Sequence, residues 1–219
     1  MKIDILNSDH YRLPGFSFGP LTGRRYVVFD FESTGPIFSE DSITQIGAVA
    51  VYDNGPHDEE SFCSLVRPWK PIPPRIEELT GVTNDLVASA PSFGEVLPGF
   101  AAFCGESALV TQAGYEFDFP IADLECDRAG YPRLTNPRLD TKAIFALLHP
   151  DRSENFSTNF LSEYYGVDRK PFKRHDALGD ALLISRIFHA QLEEARLQKR
   201  IFLEAMGSLK IRRFVLPRL

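Results

Sequence analysis

Tyr26-Val27-Val28-Phe29-Asp30-Phe31-Glu32-Ser33-Thr34-Gly35 is an apolar run that ends in two carboxylates and a turn. Consecutive β-branched and aromatic residues predict a buried strand over 25–32. Side chains on a strand alternate faces, so Asp30 and Glu32, two apart, project the same way. Neighbouring carboxylates at a strand end repel each other and lose hydration. A divalent cation that prefers oxygen ligands, Mg²⁺ or Mn²⁺, relieves both costs. An isolated Asp-x-Glu is more often a solvated pair where a strand leaves the core, so this one needs support from elsewhere.

The chain has 219 residues, 43% of them hydrophobic, which suits one domain with a full core. A net charge of −6 excludes a polycation. Any nucleic-acid binding must come from a local basic patch beside an acidic site. Cys63, Cys104 and Cys126 are odd in number and lack C-x-x-C spacing, which indicates neither zinc nor a disulfide framework. No run of about 18 apolar residues occurs, and the start lacks a signal pattern. The expectation is a soluble cytoplasmic protein with reduced thiols and no membrane partner.

Residues 1–24 contain Pro14-Gly15 and Gly19-Pro20 and read as an N-terminal arm without regular structure. Strands are expected at 43–53 and 60–67, joined by the turn Asp53-Asn54-Gly55-Pro56 and so antiparallel. Short helices follow at 74–79 and 83–88. Ser92 opens another, with Phe93, Val96, Leu97, Phe100 and Phe103 at helical steps and Pro98 expected to kink or split it. Short strands at 107–112 and 137–140 alternate with helices at 116–129, 141–149 and 157–165. The last two boundaries rest on Pro150 and on Gly166. The longest helix is expected over 176–206, with Leu178, Leu182, Ser185, Phe188 and Leu192 in one stripe. The order argues an α/β domain over 25–198, a mixed sheet with helices on both faces, and a basic and apolar C-terminal extension over 199–219.

Two further acidic markers lie downstream. Asp118 stands where a strand has ended and a helix begins, a place where Asp usually serves as an N-cap. In His175-Asp176-Ala177-Leu178-Gly179-Asp180, the aspartates are four apart on one helix face and His175 precedes the helix. A histidine there is often only a surface residue. The unperturbed pKa of an imidazole, about 6.5, also suits a base that takes a proton from water at neutrality. The run Arg169-Lys170-Pro171-Phe172-Lys173-Arg174 reads as a solvated loop or, beside a carboxylate cluster, as a clamp for a polyanion's phosphates.

Taken in order, Asp30 and Glu32 on the first strand, Asp118 in Phe-Asp, and His175 with Asp180 resemble the DEDD superfamily of 3′→5′ exonucleases. The histidine places the likeness in the DEDDh branch, that of the epsilon proofreading subunit of bacterial DNA polymerase III, ribonuclease T and oligoribonuclease. Glu78-Leu79-Thr80-Gly81, Ala90-Pro91-Ser92-Phe93 and Leu139-Asp140-Thr141 extend the resemblance across about 25–190. One departure stands out. The family's middle motif commonly begins His-Asn, and here those positions are Ala113 and Gly114.

The resemblance implies a ribonuclease H-like fold of five strands, the second antiparallel. It also implies a metal-dependent 3′→5′ exonuclease that releases nucleoside 5′-monophosphates, with DNA set ahead of RNA. Two Mg²⁺ or Mn²⁺ ions would be held by Asp30, Glu32, Asp118 and Asp180, Asp30 bridging both. His175 would act as the base. Ser33, Thr34, Gly35, Lys173 and Arg174 would meet the substrate, a single-stranded or frayed 3′ end of DNA or RNA. A polymerase or a second copy could dock through the two ends of the chain. Two other classes stay open: a nucleic-acid-binding or polymerase-associated scaffold with little turnover, and a small-molecule phosphohydrolase.

Overall fold

The computed structural model describes residues 3–214. Residues 3–24, the described part of the expected N-terminal arm, are not irregular. They carry three short strands, β1 (Asp4–Ile5), β2 (His10–Leu13) and β3 (Phe16–Phe18). Tyr11 and Leu13 alternate with exposed Arg12 and reach the main core. That two-residue period is too short to stand out among the flanking prolines and glycines.

The central sheet follows. It contains β4 (Tyr26–Ser33), β5 (Ile43–Tyr52) and β6 (Gly55–Leu65), the last starting five residues before its expected position. Helices α1 (Pro74–Thr80), α2 (Asn84–Val87) and α3 (Phe93–Cys104) come next. Pro98 does not split α3. It lies on the exposed side, and the helix runs through it unbroken. Then come β7 (Ala108–Thr111), α4 (Asp118–Ala129), β8 (Arg138–Asp140), α5 (Thr141–Leu148), α6 (Thr158–Tyr164) and α7 (Ala177–Leu197).

The five strands lie in the order β6-β5-β4-β7-β8. β4 pairs antiparallel with β5 and parallel with β7, giving the mixed ribonuclease H-like sheet. β4 reads as continuously apolar because both its faces are covered. Val27, Phe29 and Phe31 join the core that contains α3 and α4, whereas Tyr26 and Val28 pack with Ile184 and Phe188 of α7. Complete burial of a side chain such as Phe188 contributes about 1.5–3 kcal/mol.

The long helix ends at Leu197, nine residues before the expected 206. Its terminator is Lys199 at φ +56°. The Lys199 N–H bonds to the Arg196 carbonyl at 2.8 Å and the Arg200 N–H to that of Ala195 at 2.9 Å. This is the double closure normally made with glycine, as at Gly130 and Gly166. With lysine in that place the stop left no mark in the sequence. Two strands follow, β9 (Leu203–Ala205) and β10 (Leu209–Arg212). β9 pairs with β3, and β10 with β2. The first strands and the last strands of the described residues are therefore bound to each other. The expected basic and apolar tail continues over 215–219, outside the described residues.

Candidate active site

Asp30 and Glu32 continue the face of β4 that carries Tyr26 and Val28, the face that α7 crosses. Gly47 of β5 stands across from Asp30. A Cβ there would lie 2.2 Å from the backbone carbon of Ala177, so glycine lets the start of α7 rest on the sheet. Gly179 makes the same allowance for the loop, since its Cβ would lie 2.1 Å from the Lys173 carbonyl oxygen. Asp176 caps α7 through the Gly179 N–H, at 3.0 Å. Asp180 then falls in the first turn, directed at the end of β4.

Carboxylate oxygens of Asp30, Glu32 and Asp180 lie within 4.8 Å of one another. Asp118 joins them in a cleft of about 810 Å³. It is the first residue of α4 rather than its cap, which is Phe117, and its side chain is buried. Burial drives all four carboxyls upward; repulsion from Asp118 and Asp180 adds to it at Asp30 and Glu32, that of Asp140 at Asp118 and that of Asp176 at Asp180. Glu32 and Asp118 are each pushed up to about 8, and Asp30 well above the carboxylate range. Such a set holds protons near neutrality unless a cation replaces them. Oxygen donors of this number, spacing and charge fit hard divalent ions.

His175 lines the cleft, with an exposed side chain and a left-handed backbone at φ +56°. Its N–H donates to Oδ2 of Asp180 at 2.9 Å. Ser33 and Gly35 also line the cleft. Thr34 does not. It is buried, and its hydroxyl donates to Asp41 at 2.9 Å. Lys173 is also absent from the cleft wall and lies 3.3 Å from Asp176, largely in solvent. Arg174 does line the cleft, but its guanidinium is bonded to Asp180 instead of standing free for phosphate.

Two groups of residues escaped the sequence reading. Lys142, fully buried in α5, pairs at 2.6 Å with Glu116 on the cleft wall. Arg213 and Phe214, beyond β10, also line the cleft. Neither carried a local signal, because their partners are remote in the chain. At the position of the usual His-Asn pair, Ala113 has φ +58°, and a Cβ on Gly114 would meet Thr111 Cγ2 at 2.2 Å. The loop has no room for an asparagine in this conformation.

A carboxylate cluster at the end of the central strand of a ribonuclease H-like sheet defines the class as that of metal-using nucleases. The chain belongs to the exonuclease family whose model, RNase_T, matches residues 27–188. This family uses divalent metal ions. The PolC-type DNA polymerase III of Clostridium perfringens is 36% identical over 163 residues, which cover 74% of this chain and 11% of that protein. The chain thus spans about a tenth of the length of such curated relatives. The nuclease domain of 3′hExo, a DEDDh family member bound to rAMP, has a similar fold. Its TM-score is 0.68 at 19% identity, covering 78% of this chain and 92% of that one. Exonuclease X in complex with 5′ overhanging duplex DNA gives 0.57 at 21% identity, covering 80% and 92%. No helix among the described residues is long and apolar enough to cross a membrane.

Proposed function

We propose that the protein is a 3′→5′ exonuclease that removes nucleoside 5′-monophosphates from single-stranded or frayed ends, with DNA set ahead of RNA. The observation that carries this is the convergence of Asp30, Glu32 and Asp180 within 4.8 Å, with Asp118 and His175 in the same cleft. Asp30, Glu32, Asp118 and Asp180 would hold two Mg²⁺ or Mn²⁺ ions, which when bound neutralise the cluster and stabilise charge on the reacting phosphate. His175 accepts a proton from the attacking water as its oxygen bonds to phosphorus in line with the departing 3′-oxygen. The 3′-oxygen leaves with the bonding pair and is protonated from solvent. Ser33 and Gly35 would lie against the terminal nucleotide. Because the relatives include polymerases, the terminal strands are the surface we assign to a polymerase partner. There Ile201 and Met206 are 65% and 91% exposed.

The test compares 3′- and 5′-labelled single-stranded DNA and RNA with Mg²⁺ or Mn²⁺. Stepwise shortening from the 3′ end is expected, abolished by EDTA and by Asp180→Ala. His175→Ala should lose about 10²–10⁴ in rate while metal affinity is retained. Intact oligonucleotide after long incubation with Mn²⁺ would leave a binding module instead, the reading that the closed Ala113-Gly114 loop favours.

A further inference from the structure

The cleft is not built from the family domain alone. Two of its lining residues, Arg213 and Phe214, lie past the family match, which ends at residue 188. They are held there by specific contacts. β10 pairs with β2, and the Arg213 N–H donates to the Asp9 carbonyl at 2.7 Å. The Phe214 N–H donates to Oε2 of Glu116 at 2.8 Å. Glu116 is fixed in turn through its other oxygen by buried Lys142 at 2.6 Å. A buried ion pair thus positions one backbone N–H beside the cleft.

What this anchoring presents is an aromatic ring. Phe214 is 47% exposed and belongs to neither main core cluster. The neighbouring Arg213 has a buried Nε without a hydrogen-bond partner among the described residues. A ring and a guanidinium lining the same cleft match the pairing that tracks single strands, one stacking on a base and the other meeting a phosphate. We propose that Phe214 is a stacking platform for one base of the bound strand, with Arg213 contacting an adjoining phosphate. The inference rests on the nucleic-acid reading of the cleft and adds a subsite to it. Every base has a π-face, so this subsite would add affinity without sequence preference.

The test uses the full chain and a 5′-fluorescent single-stranded oligonucleotide. Kd is measured by anisotropy in EDTA, and KM and kcat are measured with Mn²⁺. Phe214→Ala should raise Kd and KM about tenfold with kcat unchanged, and Phe214→Trp should restore both. An abasic residue scanned inward from the 3′ end should, at one position, cost the wild type the same amount and cost Phe214→Ala nothing more. Arg213→Ala should reduce the slope of log Kd against log salt by about 0.7. Losses that add at every abasic position would overturn the proposal. So would Phe214→Ala binding and cutting as the wild type does. Cleavage from the 3′ end without dependence on Phe214 refutes this inference alone. Binding that depends on Phe214 without cleavage refutes the exonuclease reading alone. A chain that binds no oligonucleotide refutes both.

Discussion

The Arg174 guanidinium is bonded to Oδ1 of Asp180, and the N–H of the next residue, His175, takes Oδ2 at 2.9 Å. A cation of the protein's own therefore stands against a carboxylate cluster whose other members are Asp30, Glu32 and Asp118. It lowers the cost of holding those groups together before any metal enters, and it opposes the upward push on Asp30, Glu32 and Asp180.

Arg174→Met removes that opposition. The chelated variant should melt below the wild type at pH 8, where more of the cluster is ionised than at pH 5, with a smaller difference at pH 5. Mn²⁺ affinity at pH 8 should rise, because the ion no longer competes with a fixed positive charge. Calorimetric melting and metal titration read the two effects. Weaker Mn²⁺ binding would assign Arg174 to orienting Asp180 instead.

The raised carboxyls set a pH dependence with a definite sign. Glu32 and Asp118 titrate near 8 when folded and near about 4 when unfolded, so between those values the folded chain carries more protons. The stability they contribute is complete below the unfolded value and is lost as pH rises through the folded one. In EDTA, Tm should fall from pH 5 to pH 8, and Mg²⁺ or Mn²⁺ should restore it with release of protons. A flat Tm profile in EDTA would mean that the cluster ionises without penalty.

Lys142 and Glu116 form a buried pair at 2.6 Å, with side-chain exposures of 1% and 9%. Removing one partner strands the other charge, so Lys142→Ala should cost about 3–5 kcal/mol. Lys142→Met combined with Glu116→Gln should recover most of that, since no lone charge remains. Denaturant unfolding of the single and double variants gives the comparison. Equal losses in both would place the effect in packing.

Gly179→Ala forces a Cβ into the Lys173 carbonyl. Overpacking of this kind costs about 1–3 kcal/mol. The larger consequence is that the start of α7 must shift and carry Asp180 away from Asp30. A displacement of about 1 Å at such a centre lowers turnover about 100-fold. Melting and oligonucleotide digestion on one preparation separate the two effects. Unchanged turnover would show that α7 absorbs the methyl group by loop movement alone.

The residues of β4 specified by themselves that a strand ends in two carboxylates on one face, because that is local stereochemistry. Gly130 and Gly166 announced their helix ends, because glycine adopts the left-handed conformation most readily. Family resemblance supplied the order of Asp118, His175 and Asp180, and with it the expectation of a shared site. Other features depended on contacts between residues far apart in the chain. Arg174 turned to a carboxylate, Thr34 was drawn into the Asp41 network, and Lys199 stopped a helix that glycine would have marked. The pairing of β2 with β10, which brings Phe214 to the cleft, spans nearly the whole chain. Local sequence encodes backbone preference and the alternation of faces. Which distant strand completes a sheet, and which charge meets which, is decided only when burial removes water and each polar group must find its partner among whatever the fold has brought near.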